Sequence, residues 1–424
     1  MKIIASLEPI KASIDQISPD KSISHRCAIF TLLSDQTSTI KNYLKAEDTL
    51  NTLKIVEKLG AKVEISDDEI KITPPKEIVE PNCILECGNS GTTMRILMGF
   101  LASIDGFFVL SGDKYLNSRP MKRVSAPLSK VGAQIYGREG GNLAPLCIKG
   151  TKLDFFKFNS KIASAQVKTA LILAGLNSNG CELSEPELSR DHSEKMLALM
   201  GADISSHNLN ISVKPLLKPL KPLNINVAND PSSAFYFALL AAIIPKSHII
   251  LKNVILNKTR TSAYEVLKSM GAIVNFIEKE NSYDQIGDIE VKYSTLNAIT
   301  VNKNTSWLID EAPALAIAFA CANGKSVLRN AAELRVKECD RIAVMVEGLK
   351  TCGIEAKELD DGFEIVGGNP NAAIIEPSGD HRIAMSFAIL GLKCGMIIEN
   401  SECINTSFPS FSQILRDIGV RVED

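Results

Sequence analysis

Six copies of one phrase constrain this chain more than anything else in it. Apolar residues run into a glycine and then a small or branched residue in KLGAKVEI at Gly60, KVGAQIY at Gly132, LMGADIS at Gly201, SMGAIVNF at Gly271, TCGIEAKEL at Gly353 and DIGVRVED at Gly419. The intervals between these glycines are 72, 69, 70, 82 and 66 residues, close to one-sixth of the 424-residue chain. A fixed period of this length marks a repeated supersecondary unit. Each phrase predicts a helix that stops at a left-handed glycine and passes into a strand of alternating character. Partner strands follow in EISDDEIKIT and KELDDGFEIVG, with hairpin turns expected at Asp67-Asp68 and Asp361-Gly362. A further helix is expected upstream of each phrase, starting near Ser22, Ser90, Ser164, Ser232, Glu311 and His381.

The unit is therefore strand, helix, strand, helix, hairpin, six times over. The sixth copy reaches Asp424 directly after its first hairpin strand, so its missing strand must come from elsewhere, and MKIIASL at residues 1–7 is unclaimed. Two domains are expected on that ground: residues 19–226 with repeats one to three, and residues 227–424 plus 1–18 with repeats four to six. A chain this long also exceeds what a single core supports.

Nearly every polar cluster falls at a helix entrance. In the first-helix series these are DKSISHR, GNSGTTMR, SAQVK, NDPSSA, DEAPA and GDHRIA; the second series adds SRPMKR, SRDHSE, TRTSA and RVKECDR. Capping accounts for some of them: Asp191 with Glu194 predicts a capping box, and Asp230 an N-cap followed by proline. Capping does not account for Lys21, Arg26, Arg119, Arg190, Lys337, Arg341 and Arg382. Cations at helix starts oppose the dipole unless something negative lies between them. The net charge is only −2, which gives no broad field for nucleic acid or an acidic membrane surface, so the anion site must be local. Helix entrances related by a repeat point the same way, which places the site between the two domains and gives it more than one anionic group to hold. Asp310 and Glu338 are the acids suited to proton chemistry, although Asp310 could instead cap the apolar helix that follows and Glu338 could belong to a surface ion pair.

The ten cysteines lack CxxC pairs and lie mostly in apolar runs, so reduced thiols are expected, with neither disulfides nor a metal. MKIIASLEPIKAS has no signal-peptide pattern, and the longest apolar run, Ala234 to Ile244, is too short to span a bilayer. A cytoplasmic protein is expected.

The stretches DKSISHR, GNSGTTMRIL, RPM, SAQVK, SRDHSEKM, DPSSA, LRVKECDRI, DHRIAM and TSFPSF occur in this order from residue 20 to residue 411. On them the chain resembles the 5-enolpyruvylshikimate-3-phosphate synthase family, in the bacterial branch called class II. The resemblance implies an α/β fold, a two-domain inside-out barrel with three βαβαββ units per domain and the ligands between the domains. It implies transfer of the enolpyruvyl group of phosphoenolpyruvate to the 5-hydroxyl of 3-phosphoshikimate, in chorismate and aromatic amino acid biosynthesis, by a glyphosate target. No metal or organic cofactor, nucleic acid or membrane takes part, and a monomer is expected. By the same resemblance Lys21, Ser22, Arg26, Ser164, Ala165, Gln166, Arg190, Asp310 and Lys337 hold 3-phosphoshikimate. Lys21, Gly91, Arg119, Gln166, Arg341 and Arg382 hold phosphoenolpyruvate. Asp310, Glu338 and Lys21 are catalytic, with Asp310 the base on the 5-hydroxyl and Glu338 moving the proton at the methylene carbon.

Two departures stand out. Asn405-Thr406-Ser407-Phe408-Pro409 lacks the lysine that precedes the terminal FP pair in the other class, and Ile96 replaces a proline common after the Gly-rich turn. The nearest rival is UDP-N-acetylglucosamine 1-carboxyvinyltransferase, which pairs its lysine with asparagine and carries a cysteine on a basic mobile loop; here the partner is Ser22, and Cys147 sits in APLCIKG. A repeat scaffold that binds anionic polymer is the non-enzyme alternative, but lysines outside the motifs are interspersed with Asp and Glu.

Overall fold

In a computed structural model, which describes residues 1–423, all six repeat glycines end a helix with φ between +77° and +111°. One hydrogen bond recurs at each of them. The amide after the glycine donates to a carbonyl five residues earlier, from Ala61 to Val56, Ala133 to Leu128, Ala202 to Leu197, Ala272 to Leu267, Ile354 to Leu349 and Val420 to Leu415, at 2.9–3.0 Å. This is the Schellman closure, which a residue with a Cβ would strain.

Each repeat then centres on a four-stranded sheet with one parallel and two antiparallel pairs. In the third repeat Phe156–Asn159 lies parallel to Cys181–Ser184, which pairs antiparallel with Asn210–Val213, and Ile204–His207 forms the edge. The other five sheets follow the same order. Alternation decides which face packs inward: along Leu143–Gly150 every second residue is buried. The hairpin Lys62–Ile65 with Glu69–Thr73 pairs Ile65 with Ile70 and turns around Asp67-Asp68. The fifth-repeat hairpin pairs Leu359 with Gly362, so its turn is Asp360-Asp361 rather than Asp361-Gly362. Gly362 is needed for another reason: a Cβ there would fall 1.9 Å from the Leu328 carbonyl oxygen of the neighbouring strand.

The first helices of the repeats run Lys21–Thr31, Gly91–Ala102, Ala165–Leu176, Pro231–Ile243, Ala312–Ala320 and His381–Cys394. They are core rather than amphipathic surface elements. Every residue of Pro231–Ile243 and of Ala312–Ala320 is buried, as an apolar all-round helix must be. The second helices, such as Glu47–Lys58, bury one face only. Phe408 and Phe411 of TSFPSF are fully buried and stack edge-on with each other at 5.7 Å, and Phe408 meets Phe237 of the fourth-repeat first helix at 6.0 Å. That motif is a packing plug.

The chain divides into two compact units, residues 19–227 and residues 1–18 with 228 onward. Lys2–Ile3 is the missing strand of the sixth sheet, antiparallel to Met396–Ile398 on one side and Val422–Glu423 on the other. The leading strands of the first and fourth repeats are exchanged. Lys11–Ile14, which precedes the first helix, pairs with His248–Ile255, while Asn224–Asn226, which precedes the fourth, pairs with Ser38–Lys41. No helix among the described residues is long and apolar enough to cross a membrane.

Candidate functional site

In the 19–227 unit the cations collect at the mouths of three first helices. Asp20 caps the first, its carboxylate accepting from the Ile23 amide at 2.8 Å, and Ser90 caps the second, accepting from Thr93 at 3.2 Å. With caps in place Lys21 opens its helix and pairs with the buried carboxylate of Asp48, on the helix Glu47–Lys58. Arg26 lies one turn further in and is buried. Its Nε donates to Ser193 Oγ at 2.8 Å, one Nη to the Ser22 carbonyl at 3.0 Å and the other to Thr169 Oγ1 at 3.2 Å. Repeats one and three are thereby tied together at this point. Arg190 is half-buried just ahead of the helix that carries Ser193.

A second group surrounds Gly91, the first residue of its helix. A Cβ on Gly91 would stand 2.9 Å from Arg95 Nη1 and 3.3 Å from Arg119 Cζ. Arg95 donates to Gln166 Oε1 at 2.9 Å and to the Pro120 carbonyl at 3.1 Å, Gln166 donates to Thr92 at 3.1 Å, and Arg119 reaches the Asn89 carbonyl at 3.4 Å. Gly91, Arg119 and Gln166 thus share one neighbourhood. Arg95 was not among the sequence candidates, although it closes GNSGTTMR four residues after Gly91 and so lies on the same helix face. Ser164 is the N-cap of the third helix without a side-chain cap bond, and Ala165 is its first residue.

The predicted capping box at Asp191 and Glu194 does not form. Asp191 makes no side-chain cap bond, and Glu194 turns inward to Lys168 at 2.7 Å. Lys168 also holds Glu185 at 2.9 Å, and burial pushes the Glu194 carboxyl up in spite of the adjacent ammonium. A buried lysine left without an acid would be costly, and Glu194 supplies one.

In the other unit the acids and arginines form one cluster. Asp340 caps the helix Arg341–Thr351, accepting from two amides at 3.1 Å, and Asp380 caps His381–Cys394, accepting from Arg382 at 2.8 Å. Arg341, almost sealed from solvent, donates to Asp380 at 2.7 Å and to Glu338 at 2.6 Å and stands 3.7 Å from Asp310. Arg382 donates to the Asp310 carbonyl at 3.1 Å, with its Nε 3.6 Å from the Asp310 carboxylate. Glu338 is therefore no surface pair, and Asp310 faces two guanidiniums instead of capping a helix; Glu311 takes the N-cap position. Burial disfavours the charge of Arg341, but Asp380, Glu338 and Asp310 outweigh it and hold the guanidinium protonated. Arg382 is raised the same way, chiefly by Asp310 against burial. Asp310, Glu338 and Arg382 keep 20%, 18% and 14% of their side chains exposed. That is what groups meeting a substrate require.

Lys337 pairs with Glu333 at 2.6 Å, and burial lowers its pKa even though Glu333 and Asp310 act to raise it. The DPSSA and TRTSA motifs are structural. Arg260 binds Asp230 at 2.8 Å, and Ser232 binds Glu311, all buried. Asp48 and Asp380 carry two of the main ion pairs and were missed as site residues. Asp380 had a signal, since it opens DHR; Asp48 had none.

Chemically, the 19–227 unit presents an ammonium and guanidiniums at helix mouths suited to phosphate and carboxylate, and the other unit presents carboxylates bracketed by arginines. A family model described as EPSP synthase (3-phosphoshikimate 1-carboxyvinyltransferase) matches residues 4–415. The chain is 68% identical over 424 residues to the 3-phosphoshikimate 1-carboxyvinyltransferase of Campylobacter hominis, covering 100% of both chains. It is 65% identical over 425 residues to that of Campylobacter fetus subsp. fetus, again over 100% of both. A 2.37 Å structure of EPSP synthase from Acinetobacter baumannii superposes with a TM-score of 0.87 at 38% identity, covering 100% of this chain and 98% of that one.

Proposed function

Starting from the fact that the chain belongs to the EPSP synthase (3-phosphoshikimate 1-carboxyvinyltransferase) family, we propose how its residues divide the work of that reaction. The chain transfers the enolpyruvyl group of phosphoenolpyruvate to the 5-hydroxyl of 3-phosphoshikimate, releasing phosphate; relatives at 60–68% identity over full length do not favour the UDP-N-acetylglucosamine reaction. Lys21, Arg119, Gly91, Gln166, Arg341 and Arg382 bind phosphoenolpyruvate. Planar guanidinium forks match its carboxylate and phosphate, and the Gly91 mouth leaves room for it. Ser22, Arg26, Ser164, Ala165, Gln166, Arg190 and Lys337 bind 3-phosphoshikimate together with Lys21 and Asp310. The enzyme acts as a monomer.

Asp310 takes the proton of the 5-hydroxyl as its oxygen bonds to the central carbon of phosphoenolpyruvate, and Glu338 supplies a proton to the methylene carbon. In the second step that methyl carbon returns a proton to the protein, the bond to the phosphate oxygen breaks and the double bond re-forms. The observation that carries this assignment is the meeting of Asp310 and Glu338 on one buried arginine, at 3.7 and 2.6 Å, each with a partly exposed face.

The test is phosphate release from phosphoenolpyruvate with 3-phosphoshikimate and with UDP-N-acetylglucosamine as acceptors. Only the first should react. Asp310→Asn and Glu338→Gln should each lower kcat by about 10²- to 10⁴-fold, the usual range for a lost general acid or base. Variants that keep wild-type kcat would remove those two residues from the chemistry.

A further inference from the structure

His25 lies in DKSISHR between Lys21 and Arg26, yet the assignment above gives it no task. Its ring is fully buried and sits in a web of hydroxyls. Nδ1 is 2.8 Å from Thr52 Oγ1 and 3.3 Å from Thr93 Oγ1, and Nε2 is 3.4 Å from Ser90 Oγ. Thr52 and Thr93 are 2.7 Å apart, Thr93 donates to Ser90 at 2.7 Å, and Thr52 donates to the Asp48 carbonyl at 3.1 Å.

One tautomer lets the ring both donate and accept within the web. With the proton on Nδ1, the ring donates to Thr52, whose hydroxyl passes on to the Asp48 carbonyl. Nε2 is then an acceptor for the Ser90 hydroxyl, while Ser90 Oγ receives Thr93 and keeps its capping role. The imidazole must stay neutral for this. Burial, with Lys21 and Arg26 beside it, holds the ring well below its usual pKa. The web therefore ends on two groups of the site: Asp48, which pairs with Lys21, and Ser90, which precedes Gly91 and caps its helix.

We propose that His25 is a positioning residue for phosphoenolpyruvate, a neutral strut that sets the Ser90-Gly91 helix mouth against the helix bearing Lys21. The inference rests on the assignment of Lys21, Gly91 and Arg119 to phosphoenolpyruvate. Lys21 at one end serves both substrates, but the Ser90-Gly91 end serves phosphoenolpyruvate alone, so loss of the strut weighs mainly on that substrate.

The test is steady-state kinetics on His25→Phe, which keeps a flat ring and removes both hydrogen bonds. The KM for phosphoenolpyruvate should rise about fivefold to tenfold, the scale of one lost buried hydrogen bond. The KM for 3-phosphoshikimate should stay within about twofold and kcat within about threefold, on the same hydrogen-bond scale. His25→Gln, whose amide reaches the Nε2 position, should recover most of the loss, and His25→Asn, which serves only the Thr52 side, should not. Ser90→Ala removes the same bond from the other end and serves if the His25 variants fold poorly. It should give the same one-sided change, and the double variant should be no worse than the larger single effect. A folded His25→Phe enzyme with both KM values unchanged, or both raised alike, overturns the proposal. Arg119→Ala separates the two levels. If it too leaves the phosphoenolpyruvate KM unchanged, the site assignment fails; if it raises that KM while His25→Phe does not, only the strut fails.

Discussion

At Gly91 there is no room for one more carbon. A methyl group there would press on Arg95 and Arg119 from 2.9 and 3.3 Å, and Arg95 has little freedom to retreat because Gln166 and the Pro120 carbonyl hold it. Gly91→Ala should therefore raise the inhibition constants of phosphonate analogues longer than phosphoenolpyruvate more than the phosphoenolpyruvate KM. Proportional increases in both would contradict this. Lys337 supplies a pH signature. Its pKa is lowered from 10.5 by burial, so it releases its proton at a lower pH than a lysine in the unfolded chain. Between those two values the unfolded state binds more protons, and this group makes stability rise with pH. The binding of 3-phosphoshikimate that we propose for Lys337 would need the charge and would fall over the same window. The alkaline limb of kcat/KM for 3-phosphoshikimate should move to higher pH in Lys337→Arg; an unmoved limb would clear Lys337 of that role. That cations gather at helix starts was legible in the motifs, but which acid each one meets was not. Arg26 binds Ser193 and Thr169 from another repeat, and no local pattern announces a partner more than a hundred residues away.

Among the elements, the helix entrance of the sixth repeat does double duty. Asp380 caps its own helix through the Arg382 amide and neutralises Arg341 of the preceding helix, and it is wholly buried. Asp380→Ala should cost about 3–5 kcal/mol, because it strands a buried guanidinium as well as losing a cap. Asp380→Asn, which keeps an acceptor for the amide, should cost less. Denaturant unfolding measures both, and an alanine variant within about 1 kcal/mol of wild type would mean that Glu338 and Asp310 suffice to hold the arginine. The periodic glycines made helix ends readable, since left-handed closure needs a residue without Cβ. Two local rules misled. Asp191 and Glu194 have capping-box spacing, but Lys168 lies beneath Glu194 and draws it in. Gly362 looks like a turn residue, but the approach of Leu328 is what demands glycine.

For the whole molecule, the sixfold count and the borrowed strand were open to inference because a repeat one strand short exposes its own deficit. The expected bounds put Lys11–Ile14 with repeats four to six and Asn224–Asn226 with repeats one to three, but the strand that each one joins was not legible. Ile3 is the buried residue of the borrowed strand, facing Met396 and Val422. Ile3→Ala should destabilise the unit containing residues 228 onward by about 2–4 kcal/mol, as a large-to-small core change does. Limited proteolysis should then cut near residues 395–423 before it cuts the 19–227 unit; simultaneous cutting in both would argue against a local effect.

The borrowed and exchanged strands also impose a timetable on synthesis. Once Asn224–Asn226 has emerged, every strand of the 19–227 unit is available to the nascent polypeptide, and that half can mature while translation continues. Lys2–Ile3 and Lys11–Ile14 leave the ribosome ahead of it and have nothing to pair with until His248–Ile255, and then Met396 to Glu423, are made. Residues 2–14 thus gain their partner strands only after the whole 19–227 unit has been made.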